Sequence, residues 1–202
     1  MSAALLSGFS DPTLQSQQVF RRVLEAMAHP GRIVEVGGVP APPRGLSIAT
    51  TAVCLTLLDF ETPVWLAPDA EDAREYLGFH CHSPITQRPG AARFAVIPAG
   101  HTDLELGLFN AGSDEHPENS TTVILGVDRL ANGPGEGALR LSGPGIETET
   151  VLNVEGLTRH VWNQVRANHD LFPRGLDFIL TTGAQLAALP RTTRIEMARG
   201  AP

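Results

Sequence analysis

The chain has 202 residues, of which 42% are apolar and 18% charged, a composition typical of one globular domain with a substantial core. Its formal net charge of −7 argues against a nucleic-acid-binding surface. All 15 basic residues are arginine, because the sequence contains no lysine. This excludes a pyridoxal-phosphate (PLP) Schiff base, a phosphate-loop lysine and a lysine nucleophile, since each needs a primary amine.

Cysteine usage and the N-terminal sequence indicate the compartment. Cys54 lies in an apolar run and is expected to be a small buried residue, whereas Cys81 is expected in a loop, and their spacing does not suggest a disulfide. The N-terminus has no basic flank, and no apolar stretch approaches the ~20 residues of a membrane span. We therefore expect a cytoplasmic protein without a membrane span, in which residues 1–12 form a loose leader.

The first half of the chain alternates between helices and strands. Apolar residues at helical spacing predict a helix over residues 16–28, with a core-facing stripe of Phe20, Val23, Leu24 and Met27. A nearly all-apolar run predicts a buried helix over residues 46–58, in which threonines bond back to the preceding turn. The remaining predicted elements are strands 32–36 and 62–67, a helix 70–77 capped by Asp69, and a loop 79–88.

Strands dominate the second half. We expect strands at 93–97, 121–127, 138–141 and 146–151, a short helix at 103–109, an exposed loop at 111–120, and a helix from Asn153 to 167 with Asn168 as its C-terminal cap. Residues 172–197 predict a buried hairpin around Gly183 that Pro190 ends. The pattern indicates one α/β domain over residues 1–202, a sandwich on a mixed β-sheet.

Four polar residues follow this hairpin and are the main candidates for binding an anion. On an extended strand, Arg191 and Thr193 share one face and Thr192 and Arg194 share the other, so one arginine serves a given pocket. Arginine is the favoured bidentate partner of phosphate. The alternative is an edge strand whose charges prevent edge-to-edge pairing.

Other candidates are isolated. Arg32 near the start of its strand could bind an anion or pair with a carboxylate. His80 could face a ligand or order its loop, and the His80-Cys81-His82 run lacks the spacing of a zinc site, so no metal is expected. The turn at residues 142–145 lacks phosphate-loop spacing and predicts a hairpin turn. We find no catalytic triad, metalloprotease or paired-carboxylate signature, and no catalytic residue is assigned.

Seven stretches in register together resemble one family. They are FRRVLEAMAHPG (20–31), IATTAVCLTLLD (48–59), TPVWL (62–66), FH (79–80), LRLSGPGI (139–146), FPRGLDFILT (172–181) and LPRTTRIE (189–196). They resemble the PhnH family, whose members are subunits of the bacterial carbon–phosphorus lyase system for phosphonate use.

The resemblance implies a three-layer α/β sandwich on a mixed sheet, similar to the large domain of PLP-dependent transferases but without PLP or another cofactor. It also implies a homodimer and a core complex with PhnG, PhnI and PhnJ. That system transfers a phosphonate onto the ribose of ATP with loss of adenine, yielding a ribose 1-phosphonate 5-triphosphate. A phosphonate or nucleotide is then the expected substrate.

Three functional hypotheses remain open from the sequence. The chain could contribute an anionic pocket to the transferase, using Arg191, Thr192, Thr193, Arg194, Arg32 or His80. It could instead be a purely structural subunit that is inactive alone, which the absence of a nucleophile–base pair favours. It could also be a stand-alone ligand-binding protein with a degenerate cofactor pocket.

Overall fold

The computed structural model describes residues 6–101, 104–135 and 137–197, apart from the side chain of Glu71. Four α-helices lie in these residues: α1 (Pro12–Ala28), α2 (Ile48–Leu57), α3 (Glu71–His80) and α4 (Arg159–Asn168). None of the helices in these segments is long and apolar enough to cross a membrane.

In the described part of the chain, ten strands form two sheets. In chain order they are β1 (Val34–Glu35), β2 (Val64–Leu66), β3 (Phe94–Ile97), β4 (Thr122–Gly126), β5 (Arg129–Asn132), β6 (Ala138–Ser142), β7 (Thr150–Glu155), β8 (Asp177–Thr182), β9 (Gln185–Leu189) and β10 (Arg194–Met197). The first sheet has the order β1-β9-β8-β4-β3-β2 and is mixed. Strands β2, β3, β4 and β8 are parallel to one another, whereas β9 is antiparallel to both of its neighbours, β8 and β1. The second sheet, β10-β6-β7-β5, is antiparallel. The predicted α/β class on a mixed sheet is confirmed.

The mixed sheet is covered on both faces. Side chains alternate along its strands, so Ile124 and Ile179 pack against helices α1, α2 and α3. Their neighbours Leu125 and Leu180 pack against the antiparallel sheet and α4. This two-sided burial explains the uninterrupted apolar run in β8.

Helix α1 begins earlier than predicted and turns a different face to the core. It starts at Pro12, with the Asp11 side chain accepting a hydrogen bond from the Leu14 amide. Val19, Val23 and Ala26 are buried, whereas Phe20 and Leu24 are 45% and 51% exposed. The expected stripe was therefore wrong in two of its four members, because the helix carries apolar residues on two sides.

The start of the chain also differs from the expected leader. The Tyr76 hydroxyl donates to the Ser7 carbonyl, and His80 Nε2 lies 2.9 Å from the Leu6 carbonyl. Residues 6–8 thus lie against α3, and Pro12 is already helical. The rest of the expected leader, residues 1–5, lies outside the described residues.

The buried helix of the first half is confirmed as α2. Ser47 caps it, and the hydroxyls of Thr51 and Thr56 donate to the carbonyls of Ser47 and Ala52, four residues earlier. Asp69, by contrast, does not cap α3. It lies in a 3₁₀ turn before the helix, and its carboxylate is 3.3 Å from His101 Nδ1.

The helix predicted to begin at Asn153 was wrong. Asn153 and Val154 belong to β7, and α4 begins only after its cap Thr158. The apolar spacing of this region fits the periodicity of a helix and also that of a strand. Pairing with β5 and β6 selects the strand. Strand β5 itself was not predicted. Asn168 ends α4, and its buried amide bonds to both the N–H and the carbonyl of Leu176.

A buried ion pair anchors the turn after the β8–β9 hairpin. The Arg191 guanidinium donates to both carboxylate oxygens of Asp177, to the Ser120 hydroxyl and to the Pro117 carbonyl. The backbone N–H of Arg191 also donates to Asp177 at 2.8 Å. The side chains of Arg191 and Asp177 are only 14% and 17% exposed. One arginine therefore ties the hairpin end to the loop that precedes β4.

The turn Ser142–Gly145 brings together two other turns that are distant in sequence. A Cβ on Gly145 would lie 2.2 Å from the Ala28 carbonyl, at the end of α1. A Cβ on Gly143 would lie 2.9 Å from the Thr192 carbonyl. Both glycines have positive φ, 127° at Gly143 and 82° at Gly145. The turn after α1 and the turn before β10 therefore pack on this glycine turn from its two sides.

We expect Arg191→Gln to lower the free energy of unfolding by about 2–4 kcal/mol, because it leaves the Asp177 carboxylate buried without its cation. Urea denaturation measures this value. Arg129→Gln is the matched control, since its ion pair with Glu155 is exposed and is expected to contribute less than about 1 kcal/mol. Equal effects of the two substitutions would contradict an anchoring role for Arg191.

We expect Gly145→Ala to destabilise the protein by about 2 kcal/mol more than Gly133→Ala. Both glycines have positive φ, 82° and 90°, so both substitutions strain the backbone. Only Gly145 has backbone within contact distance, whereas a Cβ on Gly133 meets nothing within 4 Å. Thermal denaturation compares the pair, and equal melting temperatures would show that the turn packing is not tight.

Candidate functional site

The four candidate residues after Pro190 do not form one extended strand, as the prediction of alternating faces assumed. Residues 191 and 192 form a turn, and β10 begins only at Arg194, in the antiparallel sheet. Arg191 directs its guanidinium inward to Asp177. Arg194 is exposed and lines a groove. The two arginines therefore have different surroundings, three residues apart.

Thr193, between them, carries an unusual hydroxyl. The residue is 3% exposed, and its Oγ1 has no hydrogen-bond partner within the described segments. A buried hydroxyl without a partner is unfavourable by about 1–3 kcal/mol, so such groups are rare. Thr192 beside it is half-buried, and its carbonyl contacts the glycine turn.

The groove that Arg194 lines has a volume of about 430 Å³ and runs between the end of α4 and β10. Its polar lining comes from α4, from the 3₁₀ turn that follows it and from β10: Asn163, Arg166, His169, Asp170, Arg194 and Glu196. Ile195, which is 6% exposed, belongs to the core beneath β10. The ring of His169 is anchored, because its Nδ1 lies 3.4 Å from the Arg191 carbonyl. The ion pair of Arg191 thus helps to position one wall of the groove.

Arg32 lies at a different cavity, of about 370 Å³, which it lines together with His29 and residues 145–150. Its guanidinium is 3.3 Å from the Glu25 carboxylate, which also pairs with Arg22. These two arginines hold the pKa of Glu25 below its usual value. Glu147 and Glu149 also line this cavity, so its charge does not favour an anion.

His80 is the last residue of α3, not a loop residue. Its ring contacts that of Tyr76 in a tilted arrangement and that of Phe79 edge to face, with ring centroids 4.4 Å and 4.9 Å away. Its Nε2 bonds to the Leu6 carbonyl, which requires a proton on that nitrogen because a carbonyl only accepts. His80 therefore orders the N-terminal segment and lies apart from both Arg194 and Arg32.

The two thiols are poor nucleophiles. Cys81 is buried rather than in an open loop, and its Sγ donates to the Cys54 carbonyl at 3.7 Å. Burial raises the pKa of Cys81 to about 12 and that of Cys54 well above its usual value. Thiolate, the reactive form, is therefore scarce at neutral pH. In the part of the chain that the structure describes, no three His, Cys, Asp or Glu side chains could hold a metal ion.

A pocket at the carboxyl ends of the parallel strands was missed by the sequence prediction. It has a volume of about 270 Å³ and is lined by hydroxyl groups from α2 and β8. A buried chain of hydrogen bonds runs from Ser47 through Thr50 to Thr181, with oxygen–oxygen distances of 2.8 Å. Ligands bind at this position in many α/β sheets, so the strand order could have indicated the pocket if it had been known.

The chain itself satisfies the N-terminus of α2, which points at this pocket. The Ala49 amide donates to the Gly183 carbonyl, and the Thr50 amide donates to the Ser47 hydroxyl. Asp128 also lines the pocket and adds a negative charge. A phosphate there would have to displace internal hydrogen bonds and lie beside a carboxylate, so the α4–β10 groove is the better anion candidate.

Comparison with known proteins assigns the family. The model of the PhnH family, described as bacterial phosphonate metabolism protein, matches residues 7–196. The chain is 36% identical over 190 residues to the PhnH subunit of alpha-D-ribose 1-methylphosphonate 5-triphosphate synthase from Rhizobium meliloti strain 1021, covering 93% of this chain and 94% of that protein. It is also 36% identical over 187 residues to the putative C-P lyase subunit protein HtxG of Stutzerimonas stutzeri, covering 91% and 87%. The chain therefore belongs to the PhnH family of bacterial phosphonate metabolism proteins.

Proposed function

We propose that this chain is a subunit of a carbon–phosphorus lyase core complex in phosphonate catabolism. In that complex it contributes to the transfer of a phosphonate onto the ribose of ATP, with loss of adenine. The observation that carries the proposal is the match to the PhnH family over residues 7–196, together with a relative named as a subunit of ribose 1-methylphosphonate 5-triphosphate synthase.

The surroundings of the reactive side chains favour a binding or organising role over nucleophilic chemistry. Both thiols are buried with raised pKa values. His80 bonds to a backbone carbonyl, and His101, His116 and His160 lie beside carboxylates. An oxygen of the phosphonate would attack C1′ of the ribose as the C1′–N9 bond breaks and adenine leaves, so this step needs no nucleophile from the protein, and the chain would supply anion binding and orientation.

A purely structural subunit is the second candidate. Its support is the set of large apolar side chains that face solvent: Leu14, Phe20, Leu24, Phe60, Phe79, Leu108, Leu171 and Phe172. Phe20 and Leu24 are one turn apart on α1, so they form an apolar patch of the kind that subunit contacts cover. An assembly role and an anion-binding role are compatible in one chain.

The finer parts of the proposal follow from the family resemblance. We propose that the chain forms a homodimer, joins PhnG, PhnI and PhnJ, and acts in the cytoplasm. Its fold would be a three-layer relative of the large domain of PLP-dependent transferases that works without PLP. The absence of lysine supports this last point, because PLP enzymes hold the cofactor through a lysine Schiff base.

The test is reconstitution. We expect the tagged chain, co-expressed with PhnG, PhnI and PhnJ, to retain all three through size-exclusion chromatography. The complex, supplied with PhnL, a further protein that the family resemblance associates with this step, should release adenine from ATP when methylphosphonate is present. Omitting this chain should abolish that release. Failure to retain any of the three subunits, or full adenine release without the chain, would contradict the proposal.

A further inference from the structure

The groove between α4 and β10 contains two arginines that have no ion-pair partner among the described residues. Arg22, Arg32, Arg44, Arg129, Arg140, Arg174 and Arg191 each have a carboxylate within 4.0 Å. Within residues 6–101, 104–135 and 137–197, no such carboxylate lies near Arg166 or Arg194, although both line the same groove. Guanidinium groups with free donors on one concave surface are suited to an oxyanion, which they can bind with paired hydrogen bonds.

The two arginines lie on rigid elements. Arg166 is in the last turn of α4, and Arg194 is the first residue of β10, which pairs with β6 from Arg194↔Ser142 to Met197↔Leu139. His169 lies between the two arginines in the sequence, and its Nδ1 contacts the Arg191 carbonyl. Because that carbonyl only accepts, Nδ1 carries the proton, and Nε2 is left as an acceptor for a donor group of a ligand in the groove.

The groove also contains negative charge. Asp170 and Glu196 line it and have no cationic partner within 4.0 Å in the described segments. The two arginines and the two carboxylates cancel formally, so the groove does not favour a bare polyanion. It favours a ligand that has an oxyanion together with a positive charge nearby, either an amine or a bound divalent cation.

We propose that the α4–β10 groove binds the phosphorus oxyanion of a small ligand that also carries positive charge. Arg166 and Arg194 hold the oxyanion, and Asp170, Glu196 and the unprotonated Nε2 of His169 accept from the cationic part. The ligand is an aminoalkylphosphonate or a magnesium-bound triphosphate, which share this chemistry. The inference rests on the proposed function for its substrate class, whereas the groove and its unpaired charges are independent of it.

The experiment titrates the full-length chain with four probes by calorimetry: methylphosphonate, 2-aminoethylphosphonate, inorganic phosphate and tripolyphosphate, the last both with and without Mg²⁺. The same titrations are repeated on the reconstituted complex. We expect 2-aminoethylphosphonate to bind more tightly than methylphosphonate and inorganic phosphate if the source is an aminoalkylphosphonate. Tighter binding of tripolyphosphate with Mg²⁺ than without it identifies the triphosphate instead.

The variants Arg166→Gln and Arg194→Gln together should weaken binding of the preferred probe at least tenfold. Arg159→Gln is the matched control, because Arg159 is an exposed arginine of the same helix that does not line the groove. It should leave binding unchanged. Asp170→Asn with Glu196→Gln should remove the preference for the probe that carries positive charge. All variants change exposed side chains, so their melting temperatures should match that of the wild type.

The site is overturned if no probe binds at 10 mM to either the chain or the complex, or if the double arginine variant and Arg159→Gln behave alike. It is also overturned if all four probes bind equally, since the carboxylates would then play no part. Failure of the subunits to co-purify, with arginine-dependent binding intact, would contradict the proposed complex and leave the groove. Assembly of the subunits without arginine-dependent binding would contradict the groove site and leave the proposed complex.

Discussion

The ion pair between Arg191 and Asp177 is the contact on which the arrangement around the groove depends. It closes the β8–β9 hairpin against the loop before β4, and four hydrogen bonds from the guanidinium converge there. Breaking one partner would leave a mostly buried charge, which is far less favourable than losing a surface pair. Because His169 bonds to the carbonyl of Arg191, this ion pair also helps to position one wall of the groove.

Arg191 and Arg194 illustrate how position determines the role of a side chain. Arg191 lies in a turn whose backbone amide already bonds to Asp177, so its side chain follows the same carboxylate inward. Arg194 lies on β10, at the edge of the antiparallel sheet, where alternate side chains face outward. Both arginines belong to one short sequence motif. The change from turn to strand leaves Arg191 in a structural ion pair and Arg194 free to bind a ligand.

Large parts of the fold could be predicted from local pattern. The α2 helix, the β8–β9 hairpin and the mixed α/β class follow from runs of apolar residues that admit few alternatives. The prediction failed where a pattern fits two periods, as at Asn153, or where a helix has two apolar sides, as with Phe20 and Leu24. In both cases tertiary contacts decide, at Asn153 between helix and strand and in α1 between two apolar faces. The local sequence pattern does not show which of the two these contacts favour.

The sequence by itself determined which chemistries are open to this protein. Without lysine and with two cysteines in unremarkable settings, anion binding must rest on arginine, histidine, hydroxyls and backbone, and seven ordered stretches indicated the family. The tertiary structure alone decided which of these groups are available. Arg166 and Arg194 are 28 positions apart in the chain, and they line one groove because α4 packs beside the edge strand β10. Such proximity depends on long-range packing, which residue spacing along the chain does not record.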